Sequence, residues 1–260
     1  MKWKTICVSA AAAGLIFASA AQAELNLEDA RGIWLLDEGS GDSILDNSGN
    51  DNHGERQGGE WVDGREGRPA LSLNGNDDRV IIPDSESLYI DGAWTITAWV
   101  NVNAAENGFG HILGKRPPGV TVANYAFRTS GNGTGWEAYF ANNGWKGAWG
   151  RGTVRKGVWL YMTATYDGEG TIRIYENGAD IGFTGGLGPP APRNDTPANI
   201  GGWTGNTSET LNGMLSEVAL FSVALTQEDI QTLMDEGLTT LLSVDPRGKM
   251  AATWADVKTQ

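Results

Sequence analysis

Two runs decide the fold. The first is Ala70-Leu-Ser-Leu-Asn-Gly-Asn-Asp-Asp-Arg-Val-Ile-Ile-Pro83, and the second is Trp94-Thr-Ile-Thr-Ala-Trp-Val-Asn-Val102. Leu71 and Leu73 alternate with polar residues. Asn74 to Asp78 is a turn, because Asn, Asp and Gly tolerate the positive φ that tight turns need. Val80-Ile81-Ile82 is β-branched and stops at Pro83, which has no N–H for a sheet ladder. In the second run Ile96, Ala98 and Val100 point one way, and Thr95, Thr97 and Trp99 the other. That period of two predicts strands, and turns between them predict a sheet that continues along the chain.

The same grammar extends in both directions. Ile33 to Leu36, His111 to Lys115, Tyr125 to Arg128, Trp136 to Phe140 and Trp145 to Trp149 read as strands. Val158 to Tyr166 is the strongest strand signal. Ile172 to Tyr175 and Ile181 to Phe183 flank Asn177-Gly178, a two-residue hairpin turn. Gly185 to Pro197 is a Gly/Pro-rich loop, Asn199 to Gly202 a short strand and Leu211 to Phe221 a long last one. One short helix is predicted from Gln227 to Met234, capped by Thr226 with Asp229 three residues on, and ended by Gly237.

Bulk properties narrow the class. The chain has 260 residues, with 37 Gly, 11 Trp and little helical periodicity, which suits one all-β sandwich. Lys2, Lys4, the apolar run Ile6 to Ala18 and the box Ala21-Gln22-Ala23 read as a secretory signal over residues 1–23. A membrane anchor is the competing reading, and the apolar run is too short for it. The expected domain is 24–242 and the expected tail 243–260, read either as a weakly ordered extension or as a segment that docks through Trp254. The expected location is secreted or periplasmic. The only cysteine, Cys7, lies within the signal, so disulfide and thiol chemistry are excluded from the mature chain. Formal charge is −13, and removing Lys2 and Lys4 leaves 17 basic against 32 acidic residues. Such a surface repels phosphate backbones, so no nucleic-acid partner is expected, and nothing after the signal is apolar enough to make an integral membrane protein. It tolerates divalent cations and neutral glycans.

The order of motifs resembles one family. Leu-Asn-Gly-Asn-Asp-Arg-Val from Leu73, Pro83-Asp-Ser-Glu-Ser-Leu88 and Trp94-Thr-Ile-Thr-Ala-Trp-Val100 are similar to the opening of laminin-G-like domains within the concanavalin A-like lectin/glucanase fold. Trp34 to Gly41 with Asp46 to Asn50 resembles the entry segment of that family. Val158-Trp159, Thr165 to Gly168 and Tyr175 to Gly178 resemble its central hairpin, and Asn212 to Val218 with Ala224-Leu225-Thr226 its exit. The resemblance implies a jelly-roll of two antiparallel sheets, usually non-catalytic, with one structural calcium. One position departs from the pattern: Ser216 stands where the family usually has Asp, while Glu217 is kept. A lost carboxylate weakens a calcium site.

Three chemistries were weighed. Asp46, Asn47, Asn50, Asp51 and Asn52 crowd oxygens into one glycine-bearing loop, which suits calcium; a solvated Asx-rich turn is the bland reading. With the resemblance, Asp46, Asn52 and Glu217 are the expected calcium ligands. Zinc is disfavoured, because only His53 and His111 are available. A glycosidase on this fold needs two carboxyls about 5–5.5 Å apart. The nearest string, Glu60-Trp61-Val62-Asp63-Gly64-Arg65-Glu66, places its first two acids on opposite sides of a strand. No catalytic pair or triad is expected.

The aromatics point to recognition. Sugar rings present C–H faces that stack on exposed indoles. Trp34, Trp94, Trp99 and Trp159 sit among apolar strand residues and read as core. Trp136, Tyr139, Asn142, Asn143, Trp145, Trp149 and Trp203 sit among Gly and Asn and form the expected carbohydrate-binding platform. His111, Lys115 and Arg128 read as a solvated face. The expected function is an exported, non-catalytic module for a glycan or cell-surface polysaccharide. A glycoside hydrolase and a protein-binding adhesive module are the alternatives.

Overall fold

The computed structural model describes residues 25–104, 108–117, 122–190, 192–204 and 209–244. The signal segment, Cys7 and Trp254 lie outside them.

Sixteen strands carry the fold. In chain order they are β1 (Ala30–Trp34), β2 (Ser43–Ile44), β3 (Gly54–Gln57), β4 (Glu60–Asp63), β5 (Pro69–Asn74), β6 (Arg79–Ile82), β7 (Trp94–Ala104) and β8 (His111–Lys115). They continue as β9 (Ala123–Thr129), β10 (Trp136–Ala141), β11 (Trp145–Arg151), β12 (Trp159–Tyr166), β13 (Ile172–Glu176), β14 (Ala179–Thr184), β15 (Ala198–Ile200) and β16 (Asn212–Phe221). Two helices follow, α1 (Gln227–Glu236) and α2 (Leu238–Val244). One antiparallel sheet runs β14-β13-β12-β7-β16-β5-β4, with β1 also paired to β16. The other runs β11-β10-β9-β8-β15-β6-β3-β2. This is the sandwich that the composition suits and the jelly-roll of two antiparallel sheets that the family resemblance implies.

The core lies between the sheets. Trp34, Trp94, Ile96, Val100, Phe127, Trp136, Phe140 and Tyr166 meet there, all fully buried. A second cluster lies outside the first sheet. Ile33, Trp99, Tyr161, Tyr175 and Phe221 on strands pack against Leu225, Ile230, Leu233 and Leu238 of the helical end. Both faces of β7 are therefore covered, and it is buried from Trp94 to Val102. Burying both faces explains why its alternation is one of apolar with small or aromatic residues, and not of apolar with charged ones. The middle of the first sheet, at β1, β16, β7 and β12, is thus covered on both faces. The second keeps its outer face, and the site must be sought there.

Local chemistry explains the ends. At Asn177-Gly178 both residues have positive φ, 50° and 73°, as the tight hairpin requires. Thr226 and Asp229 form a reciprocal cap, each side chain accepting the other's backbone N–H. Gly237 takes φ 76° and ends α1, but the chain enters α2 at once. The sequence reading expected one helix. The second forms because Leu238, Leu241 and Leu242 find the apolar cluster under α1. It runs through Val244, two residues into the expected tail.

Candidate functional site

The pairing registers of the second sheet draw one row across all eight strands: Gly147, Tyr139, Ala126, Gly114, Asn199, Ile81, Glu55 and Ser43. Residues directly paired across strands share a face, and this row is the outer one. The site is built at the β11-β10-β9 end of that row.

Alternation sets which side chains reach it. On β10, Trp136, Ala138 and Phe140 enter the core, while Glu137 and Tyr139 face outward. On β11, Trp145 and Trp149 are four apart and share the outer side, with Gly147 between them. A Cβ on Gly147 would lie 2.7 Å from the Tyr139 Cβ and 3.0 Å from the Trp149 ring, so only glycine allows the rings to close. Trp149 stacks on Tyr139 at 5.5 Å and 25°, and Trp145 meets the same ring edge-on at 5.3 Å and 82°. Trp145 is 43% exposed and Trp149 41%, and no other described tryptophan is exposed. Two exposed indoles thus pack against one buried tyrosine, one stacked on it and one edge-on.

Beside them lies a charge network. Glu209, on the segment between β15 and β16, accepts from His111 Nε2 at 3.1 Å, Arg116 Nη2 at 3.3 Å and Arg128 Nη1 at 3.0 Å. Arg116 also donates to the Tyr139 hydroxyl at 3.0 Å, and its guanidinium lies over Trp203 at 3.7 Å and Trp145 at 5.3 Å. Arg128 donates from Nε to Glu137 at 3.2 Å and is stacked against Phe109 at 3.5 Å and Tyr139 at 4.6 Å. Burial resists ionisation of Glu209, but His111, Arg116 and Arg128 outweigh it and bring its carboxyl to about 2. Glu137 moves the other way, because its burial outweighs its bond to Arg128. Burial pushes His111 down to about 4, with the charges of Arg128 and Arg116 acting in the same sense, so its ring is neutral at pH 7.

The expected platform is thus revised. Trp145 and Trp149 are exposed as a platform requires, and Tyr139 supports them from below. Trp136 is fully buried in the core beside Phe127 and offers no face to a ligand. Trp203 is 7% exposed, its Nε1 donating to the Arg116 carbonyl, so it braces Arg116 and is not a stacking surface. Asn142 and Asn143 form the β10–β11 turn: Asn143 is exposed with φ 52°, while Asn142 donates its amide to the Pro190 carbonyl. His111, Lys115 and Arg128 are not a solvated face. Lys115 is fully buried and bonds Asp84 and the Thr196 carbonyl. A cleft of about 460 Å³ lies at the far end of the sheet, by Ser43, His53, Glu55 and Ile81, but no Trp, Tyr or Phe lines it.

The expected calcium ligands are not assembled. Asp46 is buried, and its carboxylate accepts from the Ile33, Ser48 and Asn52 backbone amides and the Ser48 hydroxyl. The Asn52 side chain is held by the Arg31 carbonyl, Ser85 and Ser87. Glu217, at a bulge with φ 50°, accepts from Arg68 and the Leu238 amide. Among the described residues no three acidic, His or Cys side chains converge on a point. Asp46 acts as the hub of an Asx turn that ties its loop to β1, and this donor set does not fit a cation held jointly by Asp46, Asn52 and Glu217.

A lectin-like sandwich with one open sheet face is the class this geometry defines. The chain belongs to the concanavalin A-like lectin/glucanases superfamily, whose laminin-G-type family model matches residues 74–231. The fold is similar to the binding domain of Paraclostridial Mosquitocidal Protein 1, at TM-score 0.64 and 17% identity over 81% of this chain; the chain spans about half, 53%, of that structure. It is also similar to domain 4 of AbnA, a GH43 extracellular arabinanase from Geobacillus stearothermophilus, in complex with arabinotriose, at TM-score 0.61 and 18% identity, covering 79% of this chain and 98% of that one. Trypanosoma rangeli sialidase in complex with the inhibitor DANA aligns at TM-score 0.59 and 15% identity, covering 78% of this chain and 32% of that one. A search of curated proteins found no match. At these identities the likeness is one of fold.

Proposed function

We propose that the chain is an exported carbohydrate-binding module without catalytic activity. The observation that carries this is the pair of exposed indoles, Trp145 and Trp149, held on a buried Tyr139 at the open sheet face. An indole left about two-fifths exposed on a rigid strand keeps its stacking surface without ordering cost when a sugar arrives. Asn143 and Glu137 stand at the two ends of this surface and can meet hydroxyls. The structural neighbours support a recognition role: two are described as binding domains, and domain 4 of AbnA was solved with arabinotriose. No helix of the described residues is long and apolar enough to cross a membrane.

One observation favours a second reading. Glu137 and Glu209 both bond Arg128, and their carboxyls shift in opposite directions, the pattern of an acid and its partner base. Against it, Glu209 is filled by two guanidiniums and His111, so it has no lone pair directed at a substrate. The recognition reading is preferred for that reason. Calcium at the Asp46–Asn52 loop is not proposed, because an ion there would have to displace the amide donors that Asp46 holds. A glycan array, with arabinotriose included, tests the proposed function. Binding of a glycan without its turnover supports it; hydrolysis of the bound glycan overturns the non-catalytic part.

A further inference from the structure

We infer that the sugar held on Trp145 and Trp149 is uncharged. The inference rests on the carbohydrate-binding reading and goes further by fixing the ligand's class. An acidic sugar, such as a uronic or sialic acid, needs a cation with a free N–H edge. The two guanidiniums beside the indoles are each 9% exposed and already paired with carboxylates.

Arg128 is engaged at two of its three nitrogens and across its plane. Its Nε is taken by Glu137 and its Nη1 by Glu209. Its plane is covered by Phe109 at 3.5 Å and Tyr139 at 4.6 Å. Arg116 spends Nη1 on Tyr139 and Glu209, spends Nη2 on Glu209, and lies against Trp203. Both side chains are 9% exposed. Two guanidiniums face two carboxylates, so the cluster carries no net charge, and the buried His111 beside Glu209 adds none. An incoming carboxylate would meet guanidiniums whose charge Glu209 and Glu137 already balance, and a third carboxylate there would be repelled by both.

The remaining nearby cations point elsewhere. Arg151 donates to the Phe183 carbonyl and the Thr184 hydroxyl on β14. Lys146 is in register with Phe140, whose ring is in the core, so it leaves β11 on the side away from both indoles. The chain as a whole carries a formal charge of −13, which repels an anionic polymer further. What is left for a ligand is apolar ring surface plus hydroxyl partners, the chemistry of a neutral sugar.

The test uses the wild-type chain. Neutral oligosaccharides are compared with counterparts that differ only by a uronic or sialic acid, first on an array and then by calorimetry. The neutral sugar should bind at least tenfold tighter than its acidic counterpart. Its Kd should change less than twofold between 50 and 500 mM NaCl, because no ion pair forms. An acidic sugar that binds more tightly, with affinity that falls as salt rises, overturns this inference and leaves the carbohydrate reading standing. Failure of every sugar, neutral and acidic, overturns both.

Discussion

Acidification from pH 7.5 to 4.5 should weaken the fold through His111, and glutamine at that position should remove this part of the loss. His111 is 2% exposed, and its Nε2 donates to Glu209 at 3.1 Å. Arg116 and Arg128 hold the same carboxylate, so a third positive charge is unwelcome there. Burial lowers the imidazole from 6.5 to about 4, although its bond to Glu209 pulls the other way. In the unfolded chain the ring takes up a proton near pH 6.5; in the folded chain it resists until about 4. Between those values the unfolded state binds more protons, so unfolding free energy rises with pH. The stability is complete above the unfolded value and is lost as pH falls toward the folded one. Over the two units from 6.5 to 4.5 the loss is about 2–3 kcal/mol. Glu209 adds a loss in the same direction only below its unfolded value of 4.5, since its folded carboxyl lies near 2. Urea melts of the wild type and His111→Gln at steps across this range measure the difference. Glutamine keeps an N–H donor for Glu209 and does not titrate, and all other groups cancel in the comparison. The wild-type curve should fall below the variant's as pH drops. Parallel curves would show that His111 is not held neutral, and the account of the charge network would fail.

The other predictions concern the two kinds of tryptophan, the acidic loop and export. Trp136→Ala should cost about 3–5 kcal/mol and lower Tm by about 10 °C or more, because a fully buried indole is removed from the core; a melt within a few degrees of wild type would put Trp136 outside the core. Trp145→Ala should cost about 1 kcal/mol, the worth of one edge-on ring contact, and move Tm by about 2–4 °C. Asp46→Ala should destabilise the chain by about 3 kcal/mol or more, since it strips an acceptor from buried amides. For the same reason we expect melts in calcium and in chelator to coincide within a degree; a rise of several degrees with calcium would show an ion displacing those donors. N-terminal sequencing of protein secreted with its own leader should begin at Glu24, and an intact Met1 would refute the signal reading.

Much of the fold is written locally. The alternation in β7, the Asn177-Gly178 turn and the Thr226 cap each depend on a few adjacent residues, and each forms as the chain predicts. The helix α2 does not announce itself, because its stability comes from a distant apolar cluster and not from its own sequence. The site is half legible. Trp145 and Trp149 are four apart, so their shared side is visible from parity alone. Parity also separates Trp136 from Tyr139 on β10, and that signal was outweighed by the Gly and Asn around them. Tyr139 points outward yet is buried, because Trp149 covers it from β11 and Arg128 from β9. Glu209 gives no sign in the sequence: it lies in a loop, and only the folded chain brings it to Arg116, Arg128 and His111. His111, Lys115 and Arg128 read as a solvated face because their partners Glu209 and Asp84 are distant in the chain.

Glycan affinity of the wild type and of the double variant Trp145→Ala/Trp149→Ala is the most direct measurement of the central claim. Calorimetry with the best neutral sugar from an array gives both values, and a thermal melt confirms that the variant is folded. Loss of one stacking indole is worth about 1–3 kcal/mol, judged from the transfer value of a buried aromatic. Each kcal/mol is about fivefold in Kd, so the double variant should bind at least tenfold more weakly while staying folded. A folded double variant that binds the sugar as tightly as the wild type would contradict the account.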